Sequence, residues 1–176
     1  MAPPDSIFPH QLTMRLKDKR ILVTGSTTGI GKAIAQRFVE EGARVMIHGL
    51  EEDLARETSA ELDDAPWQVS DLSDPGVPSR LIEASIRELG GLDGLVNNAG
   101  VVTRRQPAEM SLETWDWTYA INVRAPFLLI QAALEELSRN KGRVLNIGSV
   151  NAHGGESYFA AFVSYTHLPS PRDATL

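Results

Sequence analysis

The sequence predicts an α/β fold in which a parallel sheet is doubly wound, with helices on both of its faces. Five short apolar runs typical of buried strands alternate with segments of helical periodicity. Alternation of this kind indicates a parallel sheet, because each crossover helix returns the chain to the edge where the previous strand began. A glycine-rich turn between the first strand and the first helix supports the same fold, since such sheets bind ligands at that turn.

The composition is that of one globular domain. Of the 176 residues, 42% are hydrophobic and 23% charged. Lys and Arg number 17 against 23 Asp and Glu, and this acidic balance argues against a nucleic-acid partner. The chain has no cysteine, which excludes disulfides and thiolate ligands, and we predict no metal site. No apolar run suits a membrane span and no signal peptide is evident, so the cytoplasm is the expected compartment.

The first strand, at residues 21–23, runs into a turn that contains Gly25, Gly29 and Gly31. Glycines at these positions permit a tight turn whose backbone can approach a phosphate. The spacing is Thr-Gly-x-x-x-Gly-x-Gly, which differs from the common Gly-x-Gly-x-x-Gly fingerprint. It also lacks the Gly-Lys-Ser/Thr ending of a nucleoside-triphosphate loop. A glycine turn between strand and helix can also be purely structural.

An amphipathic helix follows this turn. Ile30, Ile34 and Phe38 recur four residues apart, which predicts that they share the buried face of the helix. The start of such a helix directs free N–H groups and the positive end of its dipole at the glycine turn. The sequence therefore predicts an anion site there.

The remaining elements are delimited by residues that begin and end helices. Glu41-Gly42 and Gly90-Gly91 suit helix ends, and Ser111 suits a helix N-cap. In chain order we predict a strand at 44–48, a helix at 51–62, a strand at 67–70, a helix around 81–89, a strand at 92–96, helices around 111–121 and 125–137, and a strand at 143–147.

Polar and small residues follow several of these elements, at the edge where doubly wound sheets bind ligands. They are, in chain order, the glycine turn, Asp71, residues 97–100 (Asn-Asn-Ala-Gly), Asn122 and Ser149. Occurring together and in this order, these motifs resemble those of the short-chain dehydrogenase/reductase family. The resemblance covers about residues 14–162 and implies a dinucleotide-binding domain of the Rossmann type.

The resemblance implies a nicotinamide cofactor, NAD(P)(H). On residue type alone, Asp71 suits a turn cap as well as a contact to the adenine edge. Asn97 is expected to tie neighbouring strand ends together, and that role needs no contact with a ligand. The cofactor-binding residues that the resemblance implies are Gly25, Ser26, Thr28, Gly29, Ile30, Gly31, Asp71, Leu72, Asn98, Ala99 and Gly100.

The resemblance also implies hydride transfer between the nicotinamide ring and a small carbonyl or alcohol substrate. Asn122 matches the family asparagine that holds a water of the proton relay, although an asparagine at a helix boundary is otherwise a cap or a break. Ser149 matches the serine that hydrogen-bonds the substrate oxygen. These two residues are the predicted catalytic residues.

The family pattern breaks after Ser149. The family's proton-donating tyrosine, and the lysine four residues later, would fall at Phe162 and Thr166. Phenylalanine has no hydroxyl and threonine no charge, so neither role can be filled by these side chains. Tyr158 and Tyr165 are not followed by a lysine at the fourth position either. We therefore predict that the chain as given is catalytically inert.

Both ends of the chain depart from the family. Residues 163–176 carry two prolines where the family has a long helix, and they resemble translated sequencing-adapter DNA. We expect a truncated reading frame with a foreign, disordered end. The alternative is a naturally short, noncatalytic dinucleotide-binding or interaction module. Residues 1–13 contain three prolines and are expected to form a loose arm, with Met14 as a second candidate start.

Cofactor choice and assembly remain open. Residues 51–53 (Glu-Glu-Asp) follow the second strand and would repel a 2′-phosphate, which favours NAD, yet they equally suit the first turn of a helix. The resemblance implies that intact relatives are usually homo-oligomers, paired through the helices after the fourth and fifth strands. The tail replaces the second of these helices, so we expect no stable oligomer.

Overall fold

The computed structural model describes residues 14–149. The predicted arm at 1–13, the tail at 163–176 and positions 162 and 166 lie outside the described residues. The main elements are β1 (Arg20–Val23), α1 (Gly29–Glu40), β2 (Arg44–Gly49), α2 (Glu52–Glu61), β3 (Trp67–Val69), α3 (Val77–Leu89), β4 (Gly94–Asn97), α4 (Leu112–Tyr119), α5 (Ala125–Arg139) and β5 (Arg143–Asn146). A 3₁₀ turn (Pro107–Glu109) precedes α4, and a π-helical segment (Ala120–Arg124) joins α4 to α5.

The five strands form one parallel sheet in the order β3-β2-β1-β4-β5. The chain builds outward from β1 to β3 and then returns to start β4 on the other side of β1. A crevice opens at such a reversal, between the carboxyl ends of β1 and β4, and ligands bind there in doubly wound sheets. The predicted fold class is confirmed.

Helices cover both faces of the sheet because side chains along each strand alternate between the faces. Leu22 of β1 packs in the cluster formed with α3 and α5, whereas its neighbours Ile21 and Val23 pack in the cluster on the α1 side. A stripe on α5 contacts the sheet, and its buried members are Ala125, Leu129, Ala133 and Leu137. Their spacing of four residues is that of an amphipathic helix.

Gly90 and Ser111 lie at helix ends as the sequence predicts, and two arginines that it did not single out also bond the end of α3. Gly90 ends α3 in the left-handed conformation, with φ of 78°. Arg44 donates to the carbonyl of Leu89 at 2.8 Å, and Arg20 donates to that of Gly90 at 2.6 Å. Ser111 caps α4 by accepting from the Thr114 N–H at 3.1 Å. The two arginine contacts tie the end of α3 to the starts of β1 and β2.

The predicted burial of Ile30 is wrong, since this side chain is 68% exposed. The buried residues of α1 are Gly31 and Ala35. Ile30 lies about 100° around the helix from Gly31 and therefore faces away from the contact. None of the helices within residues 14–149 is both long and apolar enough to cross a membrane.

Candidate functional site

A cavity of about 370 Å³ lies at the carboxyl ends of the strands, where the topology predicts a ligand site. Its walls come from the glycine turn, the end of β2, the loops after β3 and β4, and the α4–π-helix junction. The predicted cofactor-binding residues that line it are Gly25, Thr28, Asp71, Leu72, Asn98, Ala99 and Gly100. Those that do not line it are Ser26, Gly29, Ile30 and Gly31, and neither do the predicted catalytic residues Asn122 and Ser149.

Two glycines of the turn are required by close backbone contacts. Gly25 has φ of 61°, and a Cβ there would lie 2.9 Å from Ala99 Cα. A Cβ on Gly31 would overlap the Gly25 carbonyl oxygen and Asn98 Nδ2. Gly31 thus lets α1 pack directly on the turn, behind the cavity wall.

The N-terminus of α1 lies at this turn. Thr28 is its N-cap residue but makes no side-chain cap hydrogen bond. Because the first N–H groups of a helix have no partner within the helix, these amides are suited to bind an anion. Gly29 and Ile30 belong to this first turn, so they can contribute backbone N–H groups although they do not line the cavity.

Ser26 lies beneath the turn and not beside the cavity. Its side chain is fully buried, donates to the Val23 carbonyl at 2.7 Å and accepts from the His48 N–H at 3.0 Å. The hydroxyl therefore ties the turn to β1 and β2. A contact of Ser26 with the cofactor stays a prediction, and its hydroxyl is already bonded to Val23 and His48.

Thr24 links β1 to the loop after β4. Its Oγ1 accepts from the Asn98 and Ala99 N–H groups, each at 3.0 Å, and donates to the Val96 carbonyl at 3.2 Å. Asn98 Nδ2 donates in return to the carbonyls of Thr24 and Gly25, at 2.9 and 3.0 Å. The sequence analysis missed Thr24, for which the only signal was a hydroxyl residue directly before the glycine turn.

The two asparagines at the end of β4 tie neighbouring strand ends together, as predicted. Asn98 bonds the end of β1, and Asn97 Nδ2 donates to Asn146 Oδ1 on β5 at 2.8 Å. Asn97 is buried and does not line the cavity. Its role in the described structure is therefore to join β4 to β5.

Asp71 fills the first of the two roles that the sequence left open, that of a turn cap. One of its carboxylate oxygens accepts from the Ser73 N–H at 2.8 Å, which is the geometry of a turn cap. The residue is also exposed and lines the cavity. The turn fixes the carboxylate at the cavity wall, where its contact with an adenine stays a prediction.

Asn122 lies in the π-helical segment, and its side chain forms two hydrogen bonds with the loop after β4. Its Oδ1 accepts from the Val101 N–H at 2.9 Å and its Nδ2 donates to the Val101 carbonyl at 2.8 Å. The sequence predicted a helix break at this point but not a π-helix, which apolar periodicity does not reveal. The proposed relay water at Asn122 stays a prediction.

Ser149 reaches the same edge of the sheet through β5. It follows the strand by three residues, just as Gly100 follows β4, and the two strands pair with Asn97 opposite Asn146. The structure thus brings Ser149 to the carboxyl edge of the sheet, half-buried and outside the cavity wall. Its contact with a substrate stays a prediction.

His48, at the end of β2, is the second residue that the sequence analysis missed. It lines the cavity yet is only 2% exposed. Burial lowers the pKa of its imidazole from 6.5 to about 4, and the hydrogen bond with the Ser70 carbonyl offsets only part of this effect. The ring is therefore neutral at pH 7.

Only one of the three acids after β2 faces the cavity. Glu51 lines it, whereas Glu52 and Asp53 are exposed and pair with Arg56 at 2.8 and 3.2 Å. Glu52 and Asp53 thus fit the alternative of solvated residues in the first turn of α2. No lysine or arginine is among the described residues that line the cavity.

A family model described as short chain dehydrogenase matches residues 19–166. The chain belongs to the short-chain dehydrogenase family. The match includes positions 162 and 166, where this member has Phe and Thr. The family is one of oxidoreductases with a nicotinamide cofactor, so the predicted enzyme family and cofactor class are confirmed, with NAD against NADP unresolved.

Several individual proteins resemble this short-chain dehydrogenase. The 2,5-dichloro-2,5-cyclohexadiene-1,4-diol dehydrogenase of Sphingobium indicum is 38% identical over 77% of this chain and 56% of its own length. The sorbitol dehydrogenase of Cereibacter sphaeroides is 33% identical over 85% of this chain and 59% of its own. The chain thus spans little more than half the length of these relatives.

A solved structure with the same fold holds a cofactor. The blue fluorescent protein from a metagenomic library, crystallised in complex with NADPH, superposes with a TM-score of 0.82 at 33% identity. The alignment covers 86% of this chain and 64% of that protein.

Proposed function

We propose that the cavity holds a nicotinamide dinucleotide and that the reaction is hydride transfer to or from a small carbonyl/alcohol substrate. The observation that carries this proposal is the coincidence of four features at one edge of the sheet. These are the cavity, the uncapped start of α1, the tightly packed glycine turn and the Asn98 bridge. A Cβ at Gly25 or Gly31 would displace this backbone, as expected where backbone must approach a phosphate.

The residues present fit the parts of a dinucleotide. The N–H groups at residues 28–30 would hold the pyrophosphate, because they lie at the positive end of α1, where N–H groups have no partner within the helix. The walls formed by Leu54, Leu72 and Ile121 offer apolar surface for a base, with Asp71 at its edge as a hydrogen-bond acceptor. Ala99 packs directly against the Gly25 backbone, and Ala99 and Gly100 together add little side-chain volume to the cavity wall.

When bound, the nicotinamide supplies or accepts the hydride. We place the substrate oxygen near Ser149, whose hydroxyl can donate a hydrogen bond to it. Asn122 fixes the loop after β4 through Val101, which holds Gly100 at the cavity wall. An alkoxide formed by hydride transfer still needs a proton donor, and Phe162 and Thr166 provide neither the acid nor the cation.

We therefore propose that the chain as given binds the cofactor but transfers hydride poorly. A second candidate function follows from the same substitutions. The glycine turn is complete, whereas the positions of the family tyrosine and lysine carry other residues. This combination is also what a noncatalytic dinucleotide-binding module would have. The two candidates share the cofactor site and differ in turnover.

We further propose a preference for NAD(H) over NADP(H). Glu51 lines the cavity at the end of β2, no cation among the described residues does so, and this pattern disfavours a 2′-phosphate. Titration of the chain with NADH and NADPH tests the preference, and Glu51→Gln should narrow the difference while Glu52→Gln leaves it unchanged. Equal affinities in the unmodified chain would contradict the preference.

Turnover is tested with a chimera. In it, residues from 150 onward are replaced by the corresponding part of the Cereibacter sphaeroides sorbitol dehydrogenase, with Tyr at position 162 and Lys at 166. We expect NADH-dependent ketone reduction that falls by about 10²–10⁴-fold when Phe and Thr are returned to these positions. A folded chimera that binds no dinucleotide would refute the oxidoreductase proposal. Turnover by the unmodified chain equal to that of the chimera would refute its inertness.

A further inference from the structure

His48 connects three strand ends through both of its ring nitrogens. Its Nδ1 lies 3.4 Å from the Gly25 backbone nitrogen, which donates to it from the glycine turn after β1. Its Nε2 lies 3.1 Å from the Ser70 carbonyl oxygen and 3.2 Å from the Ser70 hydroxyl, beyond β3. The imidazole thus spans from the cofactor turn, across the end of β2, to the loop that carries Asp71.

These partners determine the tautomer of the ring. A carbonyl oxygen can only accept, so the bond to Ser70 requires a proton on Nε2. The Gly25 N–H can only donate, so Nδ1 must carry a lone pair. The neutral ring protonated on Nε2 satisfies both partners at once. In the other neutral tautomer, the Nδ1–H would face the Gly25 N–H, so that two donors meet. Its unprotonated Nε2 would face the Ser70 carbonyl oxygen, so that two acceptors meet.

The backbone of His48 strengthens the same link. The Ser26 N–H donates to the His48 carbonyl at 2.8 Å, and the His48 N–H donates to Ser26 Oγ at 3.0 Å. Gly49 comes next, and a Cβ there would lie 2.5 Å from Thr27 Cγ2. The start of the turn is therefore seated directly on the end of β2. A purely apolar side chain at position 48 could fill the space but would leave the Gly25 N–H without its acceptor.

We propose that His48 is a positioning residue for the cofactor turn, and that its Nδ1 holds the Gly25 amide in the conformation that presents the start of α1 to a dinucleotide. The role of His48 in dinucleotide binding rests on the proposed function, whereas its hydrogen bond to the Gly25 N–H is present in the protein without ligand. By occupying the Gly25 N–H, the ring leaves the amides at residues 28–30 as the donors for the pyrophosphate.

Two variants of His48 distinguish the contribution of Nδ1 from that of Nε2. His48→Asn keeps an acceptor at the place of Nδ1 and loses the bond to Ser70. His48→Gln reaches the place of Nε2 and loses the acceptor for Gly25. Both remove the ring and one hydrogen bond, so they serve as matched controls for simple loss of packing. Urea unfolding of the full 176-residue chain and its variants measures that loss directly.

The first readout is the exchange rate of the Gly25 amide hydrogen, measured by NMR without any ligand. We expect His48→Gln to accelerate this exchange by about five- to tenfold, and His48→Asn to keep it within about twofold of the unmodified chain. Nitrogen-15 spectra should show the Nε2–H tautomer at pH 7. Equal exchange in the two variants, or the opposite tautomer, would overturn the proposal.

The second readout is the dissociation constant for NADH. We expect His48→Gln to weaken binding by about five- to tenfold and His48→Asn to weaken it by no more than about twofold. If both variants lose affinity in proportion to their loss of stability, the role of His48 is structural and the proposal fails. If the unmodified chain binds no NADH while the exchange pattern holds, the proposed function fails and the hold of His48 on the turn stands.

Discussion

Burial of His48 predicts a specific loss of stability between pH 6.5 and pH 4. Its pKa is 6.5 when exposed in the unfolded chain and about 4 in the folded protein. In this interval His48 becomes protonated in the unfolded chain but stays neutral in the folded protein. Proton binding therefore favours the unfolded chain, and the stability present above pH 6.5 is lost as the pH falls. A depression of this size corresponds to a total of about 3 kcal/mol, of which about 2 kcal/mol is lost by pH 5.

Urea unfolding at pH 7 and pH 5 measures this loss, with His48→Asn as the control. The carboxylates of Glu41 and Asp93 add little to the change in stability between these pH values, because both titrate at lower pH. A hydrogen bond from the Arg15 N–H holds the pKa of Glu41 below 4.5, and one from the Arg20 guanidinium holds that of Asp93 below 3.8. The variant should therefore lose about 2 kcal/mol less than the unmodified chain between these pH values. If the free energy of unfolding changed with pH by the same amount in both proteins, His48 would not be buried in its neutral form.

Three further predictions concern other parts of the molecule. Arg20 pairs with Asp93 at 2.7 Å and also donates to it through its backbone, so Asp93→Ala should lower the free energy of unfolding in urea by about 2 kcal/mol. Trp117 lines the cavity and is 42% exposed, so NADH should quench its fluorescence, and Trp117→Phe should remove most of that signal. Phe127 and Leu134 of α5 are 61% and 59% exposed, so the chain should associate without forming a defined dimer. Light scattering should show less association after Phe127→Ser, and a monodisperse dimer or tetramer would contradict this expectation.

The strand and α-helix order was predictable because most of these elements carry their own sequence signal. Strands buried on both faces have continuous apolar runs, so β1 and β2 were predicted to within one residue at each end. The helix stops at Gly42 and Gly90 depend on local backbone conformation, and both have positive φ. Ile30 was misassigned because the glycine turn places the packing face of α1 at Gly31, which has no side chain to contribute to an apolar pattern.

The site was predictable only where a motif is contiguous. The glycine turn and Asn98 stand in short recognisable runs, and the structure brings them together. Thr24 and His48 act through partners between 22 and 75 residues away in the chain, so no local pattern reveals them. The π-helical segment around Asn122 bonds the loop after β4, 21 residues earlier, and apolar periodicity does not mark it. These features follow from tertiary contacts, which single residue types do not encode.

Calorimetric titration of NADH into two matched variants tests most directly whether the glycine turn at the start of α1 binds a nicotinamide dinucleotide. In Gly31→Ala the new Cβ meets the Gly25 carbonyl and the Asn98 amide, whereas in Ala33→Val the added methyl groups point to solvent on the same helix. We predict that the unmodified chain and Ala33→Val bind NADH alike, and that Gly31→Ala binds it at least about tenfold more weakly. Equal affinity in Gly31→Ala and the unmodified chain, or no binding by any of the three folded proteins, would contradict this role of the turn.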